Sequence, residues 1–170
     1  MKDEFYKFYD QHAEVGKVVK IAKSHYTLLF GNGIDESSGN AYVWRMDYDH
    51  LPTKLEAKSD VDKLINGLTD GKILSGLRWH DTPVWLSTEN QFNFKCAYDI
   101  AVQTGGASLP ATYKLGEDGQ GLPIYHTFET LDDFTDFYMS CVGWIQQCIS
   151  DGWAEKDGVD YDAMLDGLNV

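Results

Sequence analysis

Residues 84–102 read VWLSTENQFNFKCAYDIAV, and residues 123–149 read PIYHTFETLDDFTDFYMSCVGWIQQCI. Each stretch starts with a short run rich in β-branched and aromatic residues, which favours a strand. A cluster of Ser, Thr and acidic or amide residues follows, which is typical of a helix N-terminus. Apolar residues then recur every three or four positions, the spacing of one helix face. The same plan therefore occurs twice, and it decides the fold.

A β-hairpin is predicted immediately before each of these helices. Residues 73–86 are centred on the turn-forming HDTP, and residues 111–128 are centred on the glycine-rich GEDGQG. Turn residues between two strand-like runs indicate antiparallel pairing. The chain is therefore predicted to be an α+β protein, in which two ββα units form an antiparallel sheet with the helices packed on one face.

Helix-capping residues explain part of the polar clusters. Ser87 has Asn90 three residues on, and Thr88 has Gln91, which fits a capping box better. Thr130 is predicted to cap the second helix. The first cluster thus contains more polar residues than a cap requires.

The N-terminal region is predicted to combine a helix with a hairpin. Residues 2–13 favour a short helix, because their aromatic residues and His12 recur at spacings of three and four. Residues 25–30 and 41–48 are strand-like and flank the polar GNGIDESSGN, so a hairpin with an exposed tip is expected.

A domain boundary is predicted in residues 49–58, where charge density rises around a proline. We divide the chain into an N-terminal helix and β-hairpin region (1–56), an α+β core (57–156) and a C-terminal tail (157–170).

A short helix is expected at the start of that core. Ser59 or Asp60 is placed to cap it, and apolar residues follow at helical spacing to about Leu68. Gly71 is expected to end it.

Charge and cysteine content limit the possible partners. The chain contains 14 Lys and Arg and 27 Asp and Glu, which gives a net charge of −13. This acidic balance argues against binding to nucleic acids or anionic membranes, and it permits a basic protein partner. The three cysteines form no disulfide framework, and Cys141 and Cys148, which share a helix face, are interpreted as small core residues. The N-terminus lacks the apolar run of a signal peptide, so a cytoplasmic location is expected.

No motif in the sequence indicates a metal, a cofactor or a catalytic residue. The five histidines are scattered, and the C-terminal DGVDYD lacks the glycine and the closing Glu of a calcium loop. GEDGQG has no Lys followed by Ser or Thr, as a phosphate loop requires. Acid–base catalysis by Asp99, Asp132, Asp133 or Asp136 remains an alternative.

A candidate binding site is formed by hairpin aromatics and neighbouring polar residues, since such sites combine aromatic with polar side chains. It consists of Trp79, Trp85, Glu89, Asn90, Tyr125 and His126. The alternative is structural: aromatics on a strand alternate, so half of them would pack beneath the helices.

From about Ala41 onward the sequence resembles a known family. The matching stretches are residues 42–52, 73–116, 123–138 and 152–157, with VWLSTENQFNFK the most distinctive part. They resemble the DUF4376 domain family of uncharacterised proteins from Bacteroides-type genomes and their prophages. The resemblance assigns no catalytic residue. It implies a structural or assembly-associated role, because related domains are commonly encoded in phage tail and tail-fibre modules.

The sequence is therefore compatible with three functions. The first is a non-enzymatic protein of phage or prophage type that acts through contact with a protein partner or by self-association, in the cytoplasm or in a virion. The second is a ligand- or glycan-binding module that uses the hairpin aromatics. The third is an acid–base enzyme of unknown class.

Overall fold

The computed structural model describes residues 4–10 and 14–166 and is a mixed α+β structure built from antiparallel sheets and helices. In chain order the elements are β1 (Tyr6–Phe8), β2 (Lys17–Ala22), β3 (His25–Ile34), β4 (Ala41–Tyr48), α1 (Lys54–Ser75), β5 (Leu77–Trp79), β6 (Thr82–Val84), α2 (Thr88–Gln103), β7 (Ala111–Glu117), β8 (Pro123–Phe128), α3 (Leu131–Asp157) and α4 (Tyr161–Leu165). The predicted fold class is confirmed.

The chain separates into two compact units. One consists of the chain up to Asn66 together with the chain from Ala154, and the other is Gly67–Trp153. The divisions fall inside α1 and α3. A compact unit is not the same thing as an independently folding domain, so the boundaries predicted at residues 56 and 156 stay predictions.

The first unit contains a four-stranded antiparallel sheet in the order β1-β4-β3-β2. Leu28 of β3 lies opposite Met46 of β4, and both side chains are buried on one face of the sheet. That face packs against apolar residues of α1 and α4. The buried helix residues are Ala57, Val61, Ile65, Tyr161 and Met164.

The predicted N-terminal helix is wrong where the structure describes it. Tyr6 pairs with Arg45 and Phe8 pairs with Val43, so this segment is an edge strand. The Arg45 guanidinium lies 4.8 Å from the ring centre of Phe8 and packs over it. Pairing with β4 therefore overrides the helical spacing. Residues 2, 3 and 11–13, including His12, lie outside the described residues.

Helix α1 begins earlier and ends later than predicted. The cap is Thr53, whose backbone N–H donates to Glu56 Oε2 (2.8 Å), while the Glu56 N–H donates to Thr53 Oγ1 (3.2 Å). This is a capping box, which makes Ser59 and Asp60 interior residues. The helix also continues through Gly67 and Gly71, because each interior glycine costs only about 1 kcal/mol.

The second unit contains the two predicted ββα units. Strands β5 and β6 form one two-stranded ladder, and β7 and β8 form another. The turn between β5 and β6 is His80-Asp81, and both residues have positive φ (45° and 62°), as a tight two-residue hairpin requires. The two ladders are joined where the Trp85 N–H donates to Leu115 O (2.7 Å).

The N-cap of helix α2 is Ser87 and not Thr88, the candidate that fits a capping box better in the sequence. The Asn90 N–H donates to Ser87 Oγ (3.2 Å), whereas the Gln91 side chain donates to Leu86 O (2.8 Å). Thr88 is therefore already in the first helical turn. The predicted cap of α3 is confirmed, since the Asp133 N–H donates to Thr130 Oγ1 (3.2 Å).

An aromatic core holds this unit together. Phe128 of β8 stacks on Phe134 of α3 with ring centres 4.3 Å apart, and Phe137 packs edge-on against Phe94 of α2 at 5.0 Å. Cys141 is buried in the same core, and burial raises the pKa of its thiol to about 12. All three cysteines are free, as predicted. Among the described helices, none is both long and apolar enough to cross a membrane.

A partly buried carboxylate organises the opposite face of the four-stranded sheet. Asp47 accepts hydrogen bonds from Tyr6 (2.6 Å), Thr27 (2.6 Å) and Arg45 (2.8 Å). Burial would raise the pKa of Asp47, but these hydrogen bonds outweigh it and hold the pKa below its usual value. The charged form is therefore the one that stabilises the sheet.

Truncating Phe137 tests the core. Its side chain is fully buried, so Phe137→Ala should lower the free energy of unfolding by about 3–5 kcal/mol in urea titrations. Met139→Ala, two residues along the same helix and 57% exposed, is the control and should change little. Equal effects of the two substitutions would contradict the helix orientation described here.

Neutralising Asp47 tests the partly buried carboxylate. Asp47→Asn should lower the free energy of unfolding at neutral pH by about 1.5–3 kcal/mol, because hydrogen bonds to a charged group are lost. A carboxyl whose folded pKa is depressed stabilises above its unfolded pKa of about 3.9, and this contribution is lost as pH falls through the folded pKa. The deficit should thus shrink below about pH 4.

The matched control is Asp70→Asn, since Asp70 is exposed and its side chain makes no hydrogen bond or ion pair with a described residue. A deficit for Asp47→Asn that stays constant from neutral pH to about pH 3 would contradict the assignment.

Candidate functional site

The six residues predicted as a binding site lie in three places in the second unit. Trp85, Glu89 and Asn90 line a surface groove, Trp79 and His126 belong to a buried aromatic cluster, and Tyr125 is on an exposed hairpin face. Only the first three are therefore brought together at a cavity.

The groove begins where β6 leads into α2 and runs beside β7. Its first part is a cavity of about 580 Å³, lined by Trp85, Glu89 and Asn90 on one side and by Lys114, Gly116 and Glu117 on the other. Trp85 is 47% exposed, so a large part of its ring is available to a bound molecule. Aromatic and polar groups thus converge on one concave surface.

Local folding explains how the polar residues are held. The Asn90 side-chain amide donates to Trp85 O (2.8 Å), which fixes the turn into α2. Lys114 forms an ion pair with Glu117 at 2.7 Å. Glu89, in the first turn of α2, forms no hydrogen bond or ion pair with another described residue. The helix dipole favours its charge, and its carboxylate is free to meet a ligand.

The groove continues along α2 as a second cavity of about 430 Å³. Asn93, Ala97 and Ile100 of α2 form one side, and Tyr113 of β7 lies on the other. Asn90 and Lys114 line both cavities. We refer to the two cavities together as the edge groove. It combines polar residues at one end with apolar residues at the other.

Close packing of β6 against β7 shapes the first cavity. A Cβ atom on Gly116 would come within 2.4 Å of Pro83 O, so no side chain fits at this position. Glycine here permits the backbone approach that brings the Trp85 N–H to Leu115 O.

Trp79 is enclosed and does not line the edge groove. Its side chain is 4% exposed, and its indole N–H donates to Asp136 Oδ2 (2.7 Å). The His80 ring stacks on it at 4.3 Å, and the His126 ring meets it edge-on at 4.9 Å. These contacts join the β5–β6 hairpin to β8 and α3.

Two histidine–carboxylate pairs flank this tryptophan. His126 Nε2 lies 3.0 Å from Asp133 Oδ2, and His80 Nε2 lies 3.5 Å from Asp136 Oδ2. Asp99 pairs with Lys95 on α2 at 2.6 Å. Within the described residues, no cluster of three or more His, Cys, Asp or Glu side chains is arranged to hold a metal ion.

Tyr125 is exposed on the β7–β8 hairpin. It lies directly opposite Lys114, so the two side chains project from the same face of the ladder. His126 follows Tyr125 in the strand and projects from the other face. The two residues predicted as neighbours in one site therefore face opposite sides.

Sequence reasoning missed the β7 side of the groove. Lys114, Gly116 and Glu117 belong to the hairpin that contains GEDGQG, which was interpreted only as a turn. The usable signal was Gly116 at the end of a strand, because a glycine in a strand often marks close approach of another backbone.

No family model, curated protein or solved structure matches this chain. The resemblance to the DUF4376 family therefore stays a prediction, and function must be argued from the geometry.

Adding a methyl group at Gly116 tests the packing that shapes the groove. Gly116→Ala should lower the free energy of unfolding by about 1–3 kcal/mol, because the new Cβ collides with Pro83 O. Gly119→Ala is the control, since a Cβ there would meet no atom within 4 Å. Thermal or urea unfolding that shows both variants equally stable would contradict the close approach.

Proposed function

We propose that this chain is a non-enzymatic binding protein of phage or prophage type that acts through contact with another protein. The observation that carries the proposal is the edge groove, a concave surface with a half-exposed Trp85 at its polar end. Tryptophan side chains in such surroundings are frequent energetic centres of protein interfaces. The phage-type setting rests on the family resemblance, and it implies assembly in the cytoplasm followed by incorporation into a virion.

The ionisable residues of the groove favour binding over catalysis. Two carboxylates, Glu89 and Glu117, line the first cavity of the groove. Glu117 forms an ion pair with Lys114, whereas the Glu89 side chain has no partner among the described residues. General acid–base catalysis needs at least one further group poised to accept or donate a proton. The two histidine–aspartate pairs surround Trp79, away from the residues that line the groove.

Glycan binding is the second candidate. An exposed indole ring beside a carboxylate and an amide is an arrangement that suits a sugar, with the ring against its apolar face and the polar groups toward its hydroxyls. Trp85, Glu89 and Asn90 provide this arrangement. The Asn90 amide N–H is already used by Trp85 O, which leaves fewer donors for hydroxyl groups.

Co-expression with the products of neighbouring genes tests the proposal. The wild-type chain should co-elute with at least one of them as a complex of defined stoichiometry in size-exclusion chromatography. Trp85→Ala should weaken that complex by roughly tenfold or more, as expected for loss of an interface tryptophan.

Phe92→Ala is the matched control, because Phe92 is an exposed aromatic residue of α2 that does not line the groove. It should leave the complex intact. Elution of the wild-type chain apart from every neighbouring product would contradict the assembly role. Glycan-array binding that is lost in Trp85→Ala and kept in Phe92→Ala would favour the second candidate.

A further inference from the structure

The edge groove lies along the edge of β7, not across a face of its hairpin. Tyr113 and Lys114 are consecutive strand residues whose side chains point to opposite faces, yet both line the groove. No residue of β8 lines either cavity. The groove is therefore on the side of β7 opposite β8, where the backbone of the strand is accessible.

The backbone on that side of β7 has unused hydrogen-bonding capacity. β7 pairs with β8 alone in its ladder. At one end of the groove Leu115 O accepts a hydrogen bond from the Trp85 N–H. Over residues 111–114, no further backbone hydrogen bond joins β7 to any described residue outside β8. An open strand edge of this kind is a template for an added strand.

Helix α2 forms the other wall of this open edge. Asn90, Asn93, Ala97 and Ile100 lie at spacings of three and four, so they form one line along the helix beside β7. A cleft between a helix and an unpaired strand edge fits an extended polypeptide, which gains main-chain hydrogen bonds from the strand and side-chain contacts from the helix.

Charge indicates which extended segment fits. Residues 67–153 contain four Lys and Arg against eleven Asp and Glu. Two of the four basic residues, Lys95 and Lys114, are already in ion pairs. Glu89 at the groove has no described partner. The field at the groove is therefore negative, and it attracts a segment with basic side chains.

We infer that the edge groove binds an extended, basic polypeptide segment by adding it as a strand to β7. The inference rests on the proposed function and names the partner class and the binding mode. The Trp85 N–H bond to Leu115 O marks one end of the added strand, and the Glu89 carboxylate receives a lysine or arginine.

An array of synthetic octapeptides tests this inference on the full chain. Every peptide alternates apolar residues with variable residues and carries two lysines. The tightest binder is compared with a version methylated at alternate backbone nitrogens and with a version in which both lysines are glutamate. Fluorescence anisotropy should show that methylation weakens binding by roughly tenfold or more, because at least two backbone hydrogen bonds are lost. The glutamate version should not bind detectably.

Two readouts on the protein side locate the peptide. Within residues 111–114, amide hydrogen exchange of the N–H groups that point away from β8 should slow by at least about tenfold at a saturating peptide concentration, because an added strand would accept hydrogen bonds from them. Glu89→Gln should weaken binding several-fold, whereas Glu129→Gln, an exposed acidic residue outside the groove lining, should not change it.

Three results would overturn strand addition. The first is that no octapeptide binds, and the second is that the methylated and unmethylated peptides bind with equal affinity. The third is that hydrogen exchange of residues 111–114 slows as the protein concentration rises in the absence of peptide, which would assign the edge to a second copy of the chain. If methylation has no effect but Trp85→Ala still disrupts a neighbouring-gene complex, strand addition fails and the proposed function stands. If the peptide tests succeed but no neighbouring product co-elutes, the assembly role fails and the binding mode stands.

Discussion

The approach of β6 to β7 at Gly116 is the constraint on which the candidate site depends. Because Gly116 has no side chain, Pro83 O can lie only 2.4 Å from the position that a Cβ would take, and the Trp85 N–H reaches Leu115 O. This contact joins the two ββα motifs within the second compact unit, and Trp85 at the contact is half-exposed. It also ends the backbone pairing of β7 on that side, so that residues 111–114 border an open groove.

A closely packed aromatic core supports this groove. Stacked phenylalanine rings tie β8 to α3, and α3 in turn packs against α2, whose outer line of residues forms one wall. The Trp79 cluster fixes the β5–β6 hairpin to α3 through its bond to Asp136. A preorganised groove loses little entropy on binding, which favours a specific partner.

Sequence patterns predicted the ββα plan, the free cysteines, the Thr130 cap of α3 and, as the weaker of two candidates, the Ser87 cap of α2. They were wrong for residues 5–10, where spacing alone cannot distinguish a short aromatic helix from an edge strand, since β1 forms only through pairing with the distant β4. They also missed the TKLE capping box of α1. For the site, adjacency along the chain grouped Tyr125 with His126, but strand alternation places them on opposite faces. The β7 wall is set by tertiary contacts, and the single local indication of them in the sequence is Gly116 at the end of a strand.

The central claim is that the open edge of β7 is the place where this chain meets its partner. The most direct measurement is amide hydrogen exchange of residues 111–114 in the purified chain and in its complex with a co-purified neighbouring product. The account predicts that the amides of this segment that point away from β8 exchange quickly in the free chain and slowly in the complex, while the loop residues Gly119 and Gln120 are unchanged. Equal exchange of residues 111–114 in both states, in a complex that is otherwise intact, would contradict it.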